Sequence, residues 1–559
     1  MRQKYQDDEV AAMATQQFVG PTSTNNHTST DRERLDQVGR APKLAHFYDG
    51  KNVLITGVTG FIGKICLLKL VSSFPTSGKV YVMLRGKRGL TPQQRFNKLI
   101  QEAPFNPKLM QFDHNPYLLE HAEQLRAEHE KRIAQINWSK VIAINGDMSR
   151  DELGLEDDVK QTLCTTVDVI FNIAASVSFD APIKQNLRDN YLGARNLLKL
   201  ATKFDKLISL VHVSTFYSNS HLRHVEEKVI PMKCDHKKMA EFITTTPESK
   251  LDSMSSQLME DRPNTYIFTK ALSENLVQEY QGKLPIGIVR PSIVVPSVRE
   301  PEPGWVDNVN GPMGLGVLAS LGILRNIDWN YWGVSDFVPV DFVVNSMLVV
   351  AERTARLHPN EIKVYNCATS SANPTTWGKC FETLRIEGFK APPYKGLRVP
   401  IQVPKHKRAN KFMFACTKLS ELLFAYLIDL ILTICGQKRL LTRLTSKLHN
   451  GYDLLRPFTT NEYTCSNDNL LAAYDELNDD DKVNFDFDIR RINWLEGFRN
   501  AYYGARKRLL KEDLNNVQSA LFKMKVMMTL EFIMKMLLFS LIGWLSLKLY
   551  VPLSDRLVV

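Results

Sequence analysis

The stretch Val53-Leu-Ile-Thr-Gly-Val-Thr-Gly-Phe-Ile-Gly63, continued by Lys64-Ile-Cys-Leu-Leu-Lys-Leu-Val71, decides the fold. It opens with Val53, Leu54 and Ile55 as a buried strand and turns at Gly57, Gly60 and Gly63. It continues with Ile65, Leu67, Leu68, Leu70 and Val71 at helical spacing. Strand, glycine turn and helix in this order suit a dinucleotide. Glycine lets the backbone approach a pyrophosphate, and the unpaired N–H groups of a helix start hold the anion. The spacing is G-x-x-G-x-x-G, so the motif indicates a nucleotide without indicating the chemistry. Thr59, Phe61 and Ile62, between the glycines, are expected beside the cofactor with them.

Downstream, Lys79-Val-Tyr-Val-Met-Leu-Arg85 reads as a second strand, followed by Lys87 and Arg88. In such folds the end of the second strand meets the adenosine ribose. An acid there selects NAD, and an arginine accommodates the 2′-phosphate of NADP. No acid is present, so NADPH is expected, with Arg85 and Arg88 as its contacts. A third strand, residues 141–147, places Asp147 near the adenine. A fourth, residues 167–178, runs into the small-residue turn Ala174-Ala175, so Asn172 and Ala174 are expected against the cofactor. A helix over 190–200, a fifth strand over 207–215 ending at Ser214, and a sixth over 286–296 complete the rhythm. Alternating strands and helices predict an α/β Rossmann fold with a doubly wound parallel sheet.

Tyr266-Ile-Phe-Thr-Lys270 opens the next helix. Residues four apart share a helix face. A phenol titrates near about 10, and a neighbouring ammonium lowers that value, which makes the tyrosine a usable proton donor. A Tyr-x-x-x-Lys pair is common by chance. Its weight here comes from following a nucleotide turn and a strand ending in Ser214, and Ser214, Tyr266 and Lys270 are the expected catalytic set.

Composition narrows the partners. With 559 residues, 44% hydrophobic, the chain is long enough for several large cores. The net charge of +11 comes without a basic stretch interleaved with aromatics, which argues against nucleic acid. The 8 cysteines are scattered, with no CxxC and no Cys/His set at zinc spacing, so no metal is expected. Residues 1–44 are polar, carry no apolar signal core, and read as a disordered tail. Two stretches are strongly apolar. Residues 422–435 are short for a span and interrupted by Asp429, which suggests a buried or interfacial helix. Residues 526–549 are long enough to cross a membrane, with Glu531 and Lys535 near their start. Arg506, Lys507, Arg508, Lys511, Lys523 and Lys525 precede them, so a C-terminal membrane helix over 522–550 is expected with the rest of the chain cytosolic. The alternative is a helix lying on the membrane.

The glycine turn with Ser214, Tyr266 and Lys270 in this order resembles an extended short-chain dehydrogenase/reductase. Further motifs are similar to the fatty acyl-CoA reductase family, most like insect members. They are Glu302-Pro-Gly-Trp-Val-Asp-Asn-Val-Asn-Gly-Pro312, Ser335-Asp-Phe-Val-Pro-Val-Asp-Phe-Val-Val-Asn345, Val364-Tyr-Asn-Cys367, Asn373-Pro374 and Trp377. Leu427-Ile-Asp-Leu, Arg456-Pro-Phe-Thr-Thr460, Asp486-Phe-Asp488 and Trp494 resemble that family's male-sterility C-terminal domain. The resemblance implies an NADPH-binding reductase domain over 45–400 and a C-terminal domain over 401–512. It also implies reduction of long-chain acyl-CoA to a primary alcohol, through a bound aldehyde, by two hydride transfers. Residues 226–261 look like an insertion over the active site. Asn190 is either part of a water relay or a plain helix residue. Trp305, Asp307 and Asn308 are expected near the substrate cleft, Asp336 and Asp341 as structural braces, and Cys164 and Cys367 as core residues. Family members imply the endoplasmic reticulum, with the peroxisomal membrane as the alternative, and a homodimer is admitted. The rival readings are an epimerase, a carrier-linked thioester reductase, and a non-catalytic lipid-binding scaffold.

Overall fold

The computed structural model describes residues 43–87, 89–110, 112, 115–324, 328–358, 360–400, 411–439 and 441–556. The expected tail lies outside them except for its last two residues. Leu44 is buried, opens the short helix Leu44–Tyr48 and donates its N–H to Asp481 Oδ2 at 2.9 Å. Arg88 also lies outside the described residues.

Seven strands form one parallel sheet: β1 (Val53–Thr56), β2 (Val80–Leu84), β3 (Val141–Asn145), β4 (Val169–Asn172), β5 (Ser209–Val213), β6 (Ile286–Pro291) and β7 (Lys363–Cys367). Their order is β7-β6-β5-β4-β1-β2-β3, with Ile55 paired to Val82 on one side and Phe171 on the other. The chain reverses direction across the sheet between β1 and β4. Ligands of open α/β sheets bind at that switch point, beyond the carboxyl ends of the strands. Strands β1, β2, β4, β5 and β6 are buried on both faces, which is why they read as apolar runs rather than alternating ones. Val53 and Ile55 enter one core with Leu67, Val82, Val211 and Met347. Leu54 enters the other with Tyr81, Ile170, Leu197 and Phe268.

The expected sixth strand breaks at Ser292. Residues Ile286–Pro291 stay in the sheet, whereas Ile293–Val295 pair with Phe337–Pro339 in a separate parallel ribbon. Ser292 donates its N–H to Cys367 O and Ile293 donates to Asp336 O, so the chain changes partner within one residue.

Helix α1 (Phe61–Ser73) follows the glycine turn, and α2 (Pro92–Ile100) follows β2 under a capping box of Thr91 and Gln94. A π-helical turn, Leu187–Leu192, leads into α3 (Gly193–Ala201). Helix α4 (Thr265–Gln278) carries the Tyr-x-x-x-Lys pair, and α5 (Val340–Leu357) crosses behind the sheet. Helices α1 and α5 cover the first face, α3 and α4 the second. Residues 226–261 do not close over the cleft. They fold into helices His236–Thr245 and Glu248–Leu258, whose Ala240, Ile243, Leu251 and Leu258 are buried in the α3–α4 core. Four apolar side chains on their inward faces account for that placement.

The C-terminal part adds α6 (Lys411–Ile434), α7 (Leu441–Thr460), α8 (Trp494–Arg508) and α9 (Val517–Arg556). Its core is continuous with that of the sheet: Leu448, Leu470, Trp494 and Phe498 join the same apolar cluster as Val53 and Phe337. Thr464–Cys465 pairs with His224–Val225, and the Glu227 carboxylate accepts the N–H groups of Asn366, Asn469 and Leu470 at 3.0, 2.6 and 3.3 Å. Asp429, which interrupts the apolar run of α6, has a structural purpose. Its Oδ1 accepts from Leu441 N–H and its Oδ2 from Thr442 N–H, both at 2.9 Å, so it caps α7 across the turn. Arg506 and Arg508, expected among the cations flanking a membrane helix, turn inward to Glu512 and Glu302. Among the described residues, no helix is long and apolar enough to cross a membrane.

Candidate active site

The glycine turn forms one wall of a cleft of about 900 Å³ at the switch point. Gly57 has φ +74°, and a Cβ there would lie 2.7 Å from Ala174 N, so both the dihedral and the close approach require glycine. A Cβ on Gly63 would lie 2.2 Å from Gly57 O, which fixes how tightly α1 seats on the turn. Thr56 Oγ1 accepts the N–H groups of Ile173 and Ala174, both at 3.1 Å, and locks β1 to the end of β4. Gly60 caps α1 without a side-chain hydrogen bond, so the first-turn N–H groups are left for an anion. Thr59, Gly60, Phe61, Ile62, Gly63, Asp147 and Ala174 all border the cleft. These features fit a dinucleotide: backbone donors for the pyrophosphate, no Cβ in the way, and cations at the far rim.

Those cations are Arg85, Lys87 and Arg95. Arg95 reaches the cleft from α2 and was not expected; its only sequence signal is the Thr91-Pro-Gln-Gln94 helix start that aims α2 there. Arg85 Nη1 lies 3.9 Å from Asp147 Oδ2. Partial burial pushes the Asp147 carboxyl up, but hydrogen bonds from the Ser149 N–H and hydroxyl, with the charge of Arg85, hold it below the usual range. Asn172 does not border the cleft. It is buried, bonded to Thr56 Oγ1 at 3.1 Å and to His212 Nδ1 at 3.0 Å, because β4 turns it into the sheet core.

At the nicotinamide end Ser214, Thr215 and Tyr266 all border the cleft. The Ser214 hydroxyl donates to Glu274 Oε1 at 2.5 Å. The Tyr266 side chain borders the cleft beside Thr215. Lys270 is buried and donates to Val213 O at 2.7 Å, immediately before this pair. Burial pulls the Lys270 ammonium down to about 8, against the opposing charge of Glu274. The expectation that Lys270 depresses Tyr266 is not met. Desolvation pushes the phenol up to about 12, and only the Thr215 side chain opposes it.

Behind this row lies an ionic cluster that sequence reading missed. Glu274 accepts from Arg290 Nε at 2.8 Å and Nη2 at 2.6 Å, and from Ser218 Oγ at 3.1 Å, with both charged side chains essentially unexposed. Arg290 also donates to Glu226 O and Lys228 O, which ties the inserted segment to the back of the site. Asn190, in the π-helical turn, accepts from Ser176 N–H at 2.8 Å and donates to Ser176 O and Thr269 Oγ1, both at 3.1 Å. It therefore fixes the loop after β4 to α4.

A second cavity of about 610 Å³ opens beyond Tyr266. Its walls are largely apolar: Phe179, Tyr217, Leu315 and Trp377, with Leu454, Leu455 and Phe458 from α7. Phe179 stacks on Tyr266 with centroids 5.7 Å apart, and Phe458 packs on Phe179 at 5.5 Å. The two cavities share Thr215 and Tyr266 as common wall.

Asp307 and Asn308 border the dinucleotide cleft, Asp307 within 3.0 Å of Lys64 Nζ, whereas Trp305 is buried and stacks on Phe61 at 5.3 Å. Asp336 accepts from Thr369 N–H at 2.7 Å, and Asp341 from the N–H groups of residues 298–300 at 2.8–3.2 Å; both are braces. All eight cysteines are free; Cys367 is buried and Cys164 partly so.

Comparison with known proteins agrees with this geometry. Residues 55–347 and 420–512 each match a male sterility protein family. The chain is 35% identical to fatty acyl-CoA reductase 1 of Rattus norvegicus, covering 85% of this chain and 88% of the relative. It is 32% identical to fatty acyl-CoA reductase 2 of Bos taurus, covering 90% and 92%. Among solved structures, the terminal R domain of the myxalamid PKS-NRPS pathway superposes with TM-score 0.52 at 17% identity, over 86% of this chain and 98% of that one. The R domain of a Mycobacterium tuberculosis nonribosomal peptide synthetase gives TM-score 0.52 at 18% identity, over 86% and 98%. These two likenesses establish the Rossmann reductase fold alone. With two family matches in order and relatives aligned over most of their length, the chain belongs to the fatty acyl-CoA reductase family.

Proposed function

We propose that this protein reduces long-chain fatty acyl-CoA to the primary alcohol, with NADPH as reductant and the aldehyde held between two reductions. The observation that carries the reading is the shared wall. A dinucleotide cleft and an apolar cavity meet at Thr215 and Tyr266, where a carbonyl at the head of a fatty chain would lie. The named activity of the relatives supports the same substrate class.

When bound, the nicotinamide supplies one hydride to the carbonyl carbon in each reduction. The residues of the glycine turn and the start of α1 would hold its pyrophosphate, and Arg85, Lys87 and Arg95 a 2′-phosphate. Tyr266 and Thr215 would donate hydrogen bonds to the carbonyl oxygen as charge develops on it. In the first round, collapse of the thiohemiacetal breaks the C–S bond and CoA leaves as the thiol. In the second, Tyr266 passes its proton to the alkoxide and the alcohol is complete. Lys270, anchored on Val213 O, keeps a positive charge behind this row below pH about 8 and supports the proton supply. Ser214, bonded to Glu274, would hold the turn rather than touch substrate.

The apolar, exposed surface of α9, including Phe522, Phe532, Leu537 and Phe539, supports membrane association, and Lys507, Lys511, Lys523 and Lys525 before it favour a cytosolic reductase. The endoplasmic reticulum is the favoured membrane. A test incubates membranes carrying the chain with acyl-CoAs and NADPH or NADH and identifies products by mass. Alcohol formation abolished in Tyr266→Phe is expected; equal products from parent and variant overturn the reading.

A further inference from the structure

Helix α6 is built inside out. The face it turns to α7 carries acids. Glu421, 5% exposed, pairs with His449 Nε2 at 2.8 Å, and Asp429, 2% exposed, caps α7. Its other face carries Leu419, Leu423, Leu427, Leu430, Ile431 and Ile434, each between 54% and 77% exposed. At about 1.5 Å per residue this is a single stripe roughly 22 Å long. A helix facing water has the opposite polarity, and a contiguous apolar surface of this size marks something that covers it.

Three observations select lipid. First, Lys438 and Arg439 in the turn after α6, and Arg443 and Lys447 at the start of α7, are exposed, the charge that anionic headgroups attract. Second, a short link ties α6 to the base of the apolar helix α9. Arg398 lies over the ring of Phe424 in α6 at 4.2 Å, and Lys523 of α9 donates to Tyr394 O at 2.8 Å. Tyr394 and Leu397, in the same short link, are about half exposed. Third, α6 is not long and apolar enough to cross a bilayer, so contact with lipid is along its side. We propose that α6 lies flat on an anionic bilayer surface, its stripe among the acyl chains and the hairpin cations among the headgroups. This deepens the membrane reading given above and rests on it. Helix α7 packs on α6 and walls the apolar cavity with Leu454, Leu455 and Phe458, so the cavity lies one helix from the bilayer.

The test places an environment-sensitive fluorophore at Leu427→Cys in the full chain, with the other accessible cysteines changed to serine. The protein is reconstituted in phosphatidylcholine vesicles with phosphatidylserine and nitroxide-labelled acyl chains. The same probe at Phe532→Cys reports α9, and at Lys250→Cys, on an exposed helix of the insertion, it reports water. Quenching at Leu427 several times that at Lys250, weakened by Lys438→Glu with Arg439→Glu, is expected. Quenching at Phe532 but not at Leu427 overturns the α6 proposal and leaves the C-terminal anchor standing. No quenching at either overturns both. Cross-linking between Leu427→Cys copies in place of lipid quenching overturns the proposal in favour of a dimer face.

Discussion

The hydroxyl of Ser214 lies 2.5 Å from Glu274 Oε1, and that bond divides the work of two neighbours in sequence. Ser214 is turned to a buried ionic cluster, and Thr215 is left to face Tyr266 across the shared wall of the two cavities.

Thr215→Val removes the hydroxyl proposed to hold the developing oxyanion. Its kcat/KM is expected to fall about 10²–10³-fold, the cost of losing one such donor. Ser214→Ala is expected to cost less than about tenfold, because Glu274 keeps Ser218 and Arg290. Steady-state rates on one acyl-CoA decide it, and the reverse ranking would return the catalytic role to Ser214.

Glu274→Ala leaves Arg290 as a buried, unpaired charge. A loss of about 3–5 kcal/mol in unfolding free energy is expected, since breaking one partner of a buried pair costs that much. Glu274→Gln, which keeps an acceptor, loses less. A denaturant midpoint unchanged in Glu274→Ala would mean that the cluster contributes nothing.

Arg85→Ala and Arg95→Ala test the cofactor. Each removes a cation proposed to face a 2′-phosphate, worth about 1.5–3 kcal/mol for a hydrogen bond to a charged group. KM for NADPH is expected to rise roughly ten- to a hundredfold while KM for NADH stays put. A parent enzyme that prefers NADH would refute the assignment outright.

Lys270 sets a pH dependence. In solution a lysine titrates near about 10.4, and burial here brings it to about 8. Below that pH it is an ammonium and supports proton delivery; above it the charge is lost, so kcat is expected to fall as pH rises through about 8. Lys270→Arg, which stays charged, should lack that descending limb even if its rate is lower. A limb at the same pH in Lys270→Arg would assign it to another group.

The glycine turn and the Tyr-x-x-x-Lys helix were legible because each carries a local signal that survives in one dimension. The choice between Ser214 and Thr215 was not. Both follow the end of β5 and both border the cleft, and only the packed structure shows that the Ser214 hydroxyl is bonded to Glu274. Glu274 follows Lys270 by four residues, yet nothing local reveals that Arg290, in the next strand, makes it a buried partner. Asn172 faces the sheet core, and its face depends on sheet parity, which no local signal carries. Residues 226–261 look like a cover in the sequence, whereas the few apolar positions among them decide where they pack. Asp429 looked like an interruption of an apolar run, and its use as a cap appears only when the next helix folds back.

Helix α7 closes the apolar cavity from a stretch of chain nearly two hundred residues after Tyr266, while the dinucleotide cleft draws its walls from the first 312 residues. One wall of the fatty-chain cavity is thus written in a segment that contributes nothing to the dinucleotide cleft. Recombination between relatives upstream of α7 would exchange that wall and leave the cleft intact, so a lineage can diversify its alcohols while keeping a single source of reducing power.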